Sequence, residues 1–371
     1  MIILCATVNQ NLITEIKKYG DIEPTKCFNC GNCTALCLHS KELNAFPRKV
    51  IRYIQLGLKN KLIKAPEPWL CDYCGDCSES CPRQANPGEI MMSTRRYLIA
   101  QYDWTGLSKK FYTSIFWEIG SLIILSLMIL LLFTVSGSFS RMNTSEVSIN
   151  TFAPVMWVHF GDLILFSILA LLLLSNAVRM FYFIILKDDV KIPFSLYLKE
   201  FKSFFLSLGT QNDWFKCSKK VNWFKHLILV TAYATMFLLV VVLLPIFQID
   251  GPVWHWTSIL GYYATFALLY ITTDLMYRRL RKTDPMHKNS HSSDWTFLML
   301  LFLTSLSGIF LHIFRIMNLP LPAYYMYIIH LMIAVPMLII EVPFGKWSHM
   351  LYRPLATFLA AVKVQAKEIQ S

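Results

Sequence analysis

Residues 27–37 read CFNCGNCTALC, and residues 71–82 read CDYCGDCSESCP. Both follow C-x2-C-x2-C-x3-C, the run that holds cubane [4Fe-4S] clusters. Three closely spaced thiolates wrap one face of a cube and leave the fourth iron for a distant cysteine. In two-cluster folds that cysteine comes from the other motif. The spacing therefore assigns Cys27, Cys30, Cys33 and Cys81 to one cluster, and Cys71, Cys74, Cys77 and Cys37 to the other. Zinc takes four ligands, typically as two separated pairs, and does not ask for such dense runs twice. Cys5 and Cys217 have no ligand spacing and read as ordinary free cysteines. Thiols grouped in this way point to metal binding in a reducing compartment, not to a disulfide scaffold.

Between the motifs, Pro47 opens a helical stretch with Ile51, Ile54, Leu58 and Leu62 on one side. An insert of this size points to an α-helical ferredoxin module. Beyond it the composition changes. Of the 371 residues 55% are hydrophobic and only 16% charged, against about a quarter charged in a soluble domain. The apolar residues come in long blocks, which makes this a polytopic membrane protein. Residues 1–8, MIILCATV, lack a basic leader and are not read as a signal peptide. The expected class is all-α: a double [4Fe-4S] ferredoxin-like domain over 1–110, a six-helix transmembrane haem b domain over 111–355, and a C-terminal tail over 356–371.

The expected spans are 113–135, 155–186, 223–247, 254–276, 295–317 and 323–348, each near the ~20 residues that cross a bilayer. The second and sixth exceed the hydrocarbon thickness and should extend past it or tilt. Basic residues alternate between connectors. Lys187, Lys191, Lys199, Lys202, Lys216, Lys219, Lys220 and Lys225 follow span two, and Arg278, Arg279, Arg281, Lys282 and Lys288 follow span four. The opposite connectors hold only Arg141 and Arg315. By the positive-inside rule both termini and the cysteine domain face the cytoplasm, across a cytoplasmic (inner) membrane. The net charge of +12 thus reports membrane orientation, not nucleic acid.

Ionisable groups at membrane depth are costly, and histidine is a standard axial haem ligand. His226 starts span three and His349 follows span six, both on the cytoplasmic side; these match in depth and would hold an inner haem b. His330 lies nineteen residues before His349, about 28 Å along a helix, so the two cannot share one iron. His330 would serve an outer haem with His159 or His312. One or two haems are expected, and on a regular helix Pro336 or Pro343 must distort the span if both face one cleft. His39, His287 and His291 read as loop histidines, and His255 as an interface residue. Asp162, Arg179, Asp274 and Glu341 are membrane-edge groups, read as packing residues that could relay protons.

Taken together, the double cysteine module resembles the C subunit of heterodisulfide reductase. The His330…PFGKWSH segment resembles the last helix of the nitrate reductase gamma subunit, where two histidines flank a Pro-Phe-x-Lys/Arg run and ligate two haems b. Their fusion is similar to the membrane C subunits of quinone-interacting membrane-bound oxidoreductase complexes. In the nitrate reductase pattern the helix of the first inner ligand also carries an outer one, about three turns on; Thr235 and Met236 stand near that place here. The resemblance implies an electron-transfer subunit working between membrane menaquinol, haem b and two [4Fe-4S] clusters. It further implies flavin and iron–sulfur partner subunits related to the heterodisulfide reductase A subunit, with adenylylsulfate reductase as acceptor. The rivals are a heterodisulfide reductase anchor using another lipid carrier, and a transporter or receptor with a regulatory iron–sulfur domain.

Overall fold

Every regular element in the computed structural model is a helix among the residues it describes, 7–40, 45–188, 192–211 and 220–370. Cys5 and Cys217, with the loop lysines Lys191, Lys216 and Lys219, lie outside them. The third cysteine of each motif sits in a short helix, α1 (Asn32–Leu36) and α3 (Asp76–Glu79). Between these runs α2 (Arg48–Gln55), which buries Val50, Ile51 and Ile54. The apolar face expected over 51–62 continues across a turn, because Leu62 is buried from the next short helix, Lys59–Ile63. The module closes with α4 (Pro87–Tyr102), where Pro87 occupies the first turn and the Asn86 side chain accepts from the Glu89 N–H at 3.4 Å. Both are standard ways of starting a helix, since the first turn has unsatisfied donors.

Among the described residues, six helices are long and apolar enough to cross a membrane: α5 (Ile115–Val135), α6 (Val155–Leu186), α8 (Lys220–Val242), α9 (Thr257–Arg281), α10 (Ser292–Ile316) and α11 (Pro320–Glu341). Two further long helices flank them at the iron–sulfur end, α7 (Phe194–Thr210) and α12 (His349–Gln370). The 32 residues of α6 overrun a bilayer, as their length requires. Its last turns bury Met180, Ile184 and Ile185 in the same apolar core as Leu12, Trp69 and Leu98 of the N-terminal module.

Several boundaries differ from expectation by a few residues, and one of them bears on the site. Span six ends at Glu341, seven residues early, and His349 opens α12. Pro343 supplies the reason: Val342 still has helical backbone angles, but Pro343 lacks the N–H that would continue the ladder and its ring crowds the preceding turn. Glu341 then accepts the Lys346 N–H at 2.8 Å, holding the break closed. Pro336, by contrast, is absorbed inside α11. The basic connector after span two is not a plain loop either, because α7 packs Leu196 against Val362 and Ala366 of α12.

The module is fastened to the bundle by apolar and ionic contacts. Trp69, fully buried, meets Tyr352 of α12 edge-on at 5.2 Å and stacks at 6.4 Å on Tyr102. Asp294, in the first turn of α10, collects three cations. Arg96 of α4 donates to it at 2.9 Å, Lys346 at 2.7 Å, and Arg279 of α9 lies 3.7 Å away. Arg96 also reaches Glu89 at 3.2 Å and the Tyr19 carbonyl at 2.9 Å. Removing one partner of a buried ion pair strands the others at a cost of roughly 3–5 kcal/mol. Asp294→Asn should therefore lower the thermal midpoint of the detergent-solubilised protein by several degrees. A midpoint unchanged within a degree would show that this cluster does not fasten the two parts.

Candidate functional site

The two cysteine loops share one backbone design. Each turns through a positive φ two residues after its first cysteine, at Asn29 (57°) and Tyr73 (54°). Each then passes a glycine with φ near 90°, Gly31 (91°) and Gly75 (94°), a region L side chains rarely adopt. The turn points N–H groups at sulfur: Asn29 N to Cys27 Sγ, and Tyr73 N to Cys71 Sγ, each at 3.4 Å. Ala85 N does the same for Cys81 Sγ, at 3.4 Å.

The folded loops bring cysteines of the two motifs near one another. Cys33 has Cys27, Cys30 and Cys81 as electrostatic neighbours. Cys37 has Cys71 and Cys74 as its nearer electrostatic neighbours, ahead of Cys33, and Cys77 has the same three in the same order. Burial first, and the thiols of Cys71, Cys74 and Cys33 after it, push the Cys37 thiol up to about 12. Burial likewise raises Cys33, Cys71 and Cys77. Thiolates facing one another at such sites need a cationic core to neutralise them, which is what a cubane's irons supply. Cys37, Cys71, Cys74 and Cys77 line one cavity, walled by Phe46, Met91 and His39. Cys71 is buried, whereas Cys30, in the other set, is exposed. Among the described residues no three metal-binding side chains converge on the point a single ion would occupy.

A second cavity opens between α8, α12 and the end of α7. His226 and His349 line it, their ring centres 6.4 Å apart. Two metal–nitrogen bonds of about 2 Å, plus about 1.1 Å from each nitrogen to its ring centre, give roughly 6.3 Å. The residues therefore fit one iron between them. Each ring is also held from behind. His226 Nδ1 donates to Gln211 Oε1 at 2.6 Å, and His349 Nδ1 to the Lys346 carbonyl. Those bonds put the proton on Nδ1 and the lone pair on Nε2, the arrangement second-shell partners give a ligating histidine. Burial also draws the His349 imidazole down to about 4, so it is neutral near pH 7.

The other histidines are placed differently. His330 meets Ser307 Oγ at 2.9 Å and lies over Gly308. His312 has both nitrogens engaged, Nε2 with the Tyr262 hydroxyl at 2.7 Å and Nδ1 with Arg315 at 3.5 Å. The buried Nδ1 of His159 meets no partner among the described residues. Met236 packs among Ala232, Ala264 and Leu301. Of the membrane-edge groups, Arg179 donates to the Tyr102 carbonyl at 2.7 Å, and Asp274 pairs with Lys225 at 2.8 Å. Gln211, Asp294 and Arg353 carry no mark of their roles in the sequence. No local pattern singles them out, since each acts on a group far away in the chain. His39 proves more than a loop histidine: its Nε2 donates to Asp72 at 2.7 Å.

Residues 26–86 match the family described as the 4Fe-4S dicluster domain. The chain is similar to a protein of Archaeoglobus profundus that is itself named as like the C subunit of heterodisulfide reductase, 35% identical over 88 residues, which are 24% of this chain and 47% of that protein. It is also similar to the C subunit of the H(2):CoB-CoM heterodisulfide,ferredoxin reductase of Methanothermobacter marburgensis, 31% identical over 94 residues, 25% of this chain and 51% of that one. The C subunit of the ferredoxin:CoB-CoM heterodisulfide reductase of Methanosarcina acetivorans is 26% identical over 95 residues, 26% of this chain and 38% of that one. The chain thus spans about half the length, or less, of these curated relatives. No solved structure gives a significant match. The N-terminal part is a domain like the heterodisulfide reductase C subunit, for two [4Fe-4S] clusters, in a redox protein with six helices apolar enough to cross a membrane among the described residues.

The exchange of fourth cysteines has a direct test in paired substitutions, read by iron and acid-labile sulfide after anaerobic purification. Cys30→Ser with Cys81→Ser should remove one cluster and leave the other, because both residues belong to one set. Cys30→Ser with Cys37→Ser should remove both. Equal iron in the two double variants would refute the exchange.

Proposed function

We propose that the chain is the membrane-spanning electron-transfer subunit of a quinone-interacting oxidoreductase complex. In this reading Cys27, Cys30, Cys33 and Cys81 hold one [4Fe-4S] cluster, and Cys37, Cys71, Cys74 and Cys77 the other. His226 and His349 hold an inner haem b. His330 serves an outer one, with His159, whose Nδ1 is unpartnered among the described residues, favoured over the doubly engaged His312. The single observation that carries the proposal is the His226–His349 pair: two imidazoles spaced for one metal, each with its Nδ1 held by an oxygen, in a cavity next to a thiol-lined one.

Bound at these sites, haem and cubanes supply one-electron carriers, which is what a two-electron quinol needs for its electrons to be taken up separately. The chain's own residues do the rest. Gln211 and the Lys346 carbonyl orient the imidazoles, Leu70, Leu208 and Val230 keep the cavity apolar, and the N–H groups of Asn29, Tyr73 and Ala85 steady the thiolates. The basic connectors orient the iron–sulfur part to the cytoplasm. There it would meet flavin- and iron–sulfur-containing subunits, with adenylylsulfate reductase as the downstream acceptor in sulfur metabolism. The relatives carry the name of heterodisulfide reductase, which keeps one rival in view: a heterodisulfide reductase-type anchor, for which we infer a different lipid carrier.

Reduced-minus-oxidised spectra of the purified protein should show a b-type α band that His226→Ala and His349→Ala each diminish, with iron unchanged. Reduction of that band by a menaquinol analogue supports the quinone reading. If it responds to dithionite but never to menaquinol, the rival anchor is favoured. Protein with its full iron but no b-type band would end the haem assignment.

A further inference from the structure

The two thiol sites do not stand equally near the histidine cavity. His39 lines both that cavity and the one walled by Cys37, Cys71, Cys74 and Cys77. None of Cys27, Cys30, Cys33 and Cys81 lines either. What holds the two cavities together is the carboxylate of Asp72, its side chain only 1% exposed. Asp72 follows Cys71, and its Oδ2 takes the His39 Nε2–H at 2.7 Å, two residues after Cys37. Its Oδ1 takes the Arg353 guanidinium, one helical turn beyond His349 and itself lining the histidine cavity. Segments around positions 39, 72 and 353 thus converge on one buried charge. A lone carboxylate at that depth would be costly, so it persists only with both partners in place.

A second connection runs from the same loop. The Tyr73 hydroxyl donates to Glu89 at 2.8 Å, Glu89 pairs with Arg96, and Arg96 pairs with Asp294. Asp294 then binds the Lys346 ammonium, while the Lys346 carbonyl holds His349. The other thiol site looks outward. Cys30 is exposed, and Phe28, beside Cys27, is 68% exposed with the Arg83 guanidinium 4.1 Å from its ring centre.

We propose that the Cys37–Cys71–Cys74–Cys77 site is the membrane-proximal one, that the Cys27–Cys30–Cys33–Cys81 site is the distal, solvent-facing one, and that Asp72 is the positioning residue that sets the proximal site against the histidine pocket. The proposal rests on the haem reading above for its membrane end only. Net charge and exposure set the potentials of such centres, so the order leaves two signatures. Removing a nearby negative charge raises a centre's midpoint, and a solvent-facing centre relaxes faster beside an aqueous paramagnet.

The full-length protein, purified anaerobically in detergent, serves for the test. In Cys30→Ser, which keeps the proximal site, the EPR signal of the remaining dithionite-reduced cluster should be insensitive to a dysprosium chelate. In Cys74→Ser, which keeps the distal site, it should relax markedly faster with the chelate. A sensitive survivor in Cys30→Ser overturns the order, and that arm decides even if Cys74→Ser does not assemble. Asp72→Asn, close in size but uncharged, should raise the midpoint of the b-type band and of the cluster that survives in Cys30→Ser. The cluster surviving in Cys74→Ser should be unmoved by it. A shift confined to the latter, or an unmoved haem midpoint, removes Asp72 from the role. Absence of any b-type band defeats the haem reading alone, while the dysprosium result still decides which cluster faces solvent.

Discussion

One buried carboxylate, Asp294, fastens the parts of this molecule to one another. Its cations come from three places: Arg96 from the iron–sulfur module, Arg279 from the end of α9, and Lys346 from the break between α11 and α12. A buried ion cluster contributes little to net stability, because taking charges out of water costs about what their attraction returns. Its effect is on specificity. An apolar interface tolerates sliding by a few ångströms, whereas a carboxylate buried among three cations is satisfied only where all of them reach it. The apolar stack of Trp69, Tyr102 and Tyr352 supplies the contact area, and Asp294 supplies the register.

That register matters because electron-transfer centres work over short distances. The thiolate loops belong to the module and His349 to the far end of the chain, so their separation depends on how the module is seated. Lys346 shows the economy of the arrangement. Its ammonium binds Asp294, its N–H is accepted by Glu341, and its carbonyl takes the His349 Nδ1–H. The segment that ends the last span is thereby the one that orients a candidate ligand. An uninterrupted helix through 341–349 would satisfy its backbone internally and leave that carbonyl to its own ladder.

The two thiol sites are built from one loop design yet differ in surroundings. Both use a positive-φ residue followed by glycine to turn N–H groups toward sulfur. Each has one buried cysteine, Cys71 or Cys33, but one also has an apolar wall and a bridge to Arg353, whereas the other has an exposed cysteine and a solvent-facing Phe28. Equal ligands in unequal dielectric surroundings give unequal potentials. The asymmetry follows from docking one side of a pseudo-symmetric module onto the bundle.

Much of this was legible in the residues alone. Dense cysteine runs specify a two-cluster domain because cubane ligation demands their spacing, and blocks of about twenty apolar residues specify spans because bilayer thickness demands their length. The six spans, the helical insert and the facing of His226 and His349 followed from such local or one-dimensional rules. Other features were beyond reach. The helix over 194–210 and the roles of Gln211, Asp72, Asp294 and Arg353 depend on partners from fifteen to about 280 residues distant. A histidine's depth can be counted along a helix, but what stands behind its ring cannot. Periodicity and spacing are written into the chain, whereas the pairing of buried charges is decided only when the helices pack and exclude water from between them.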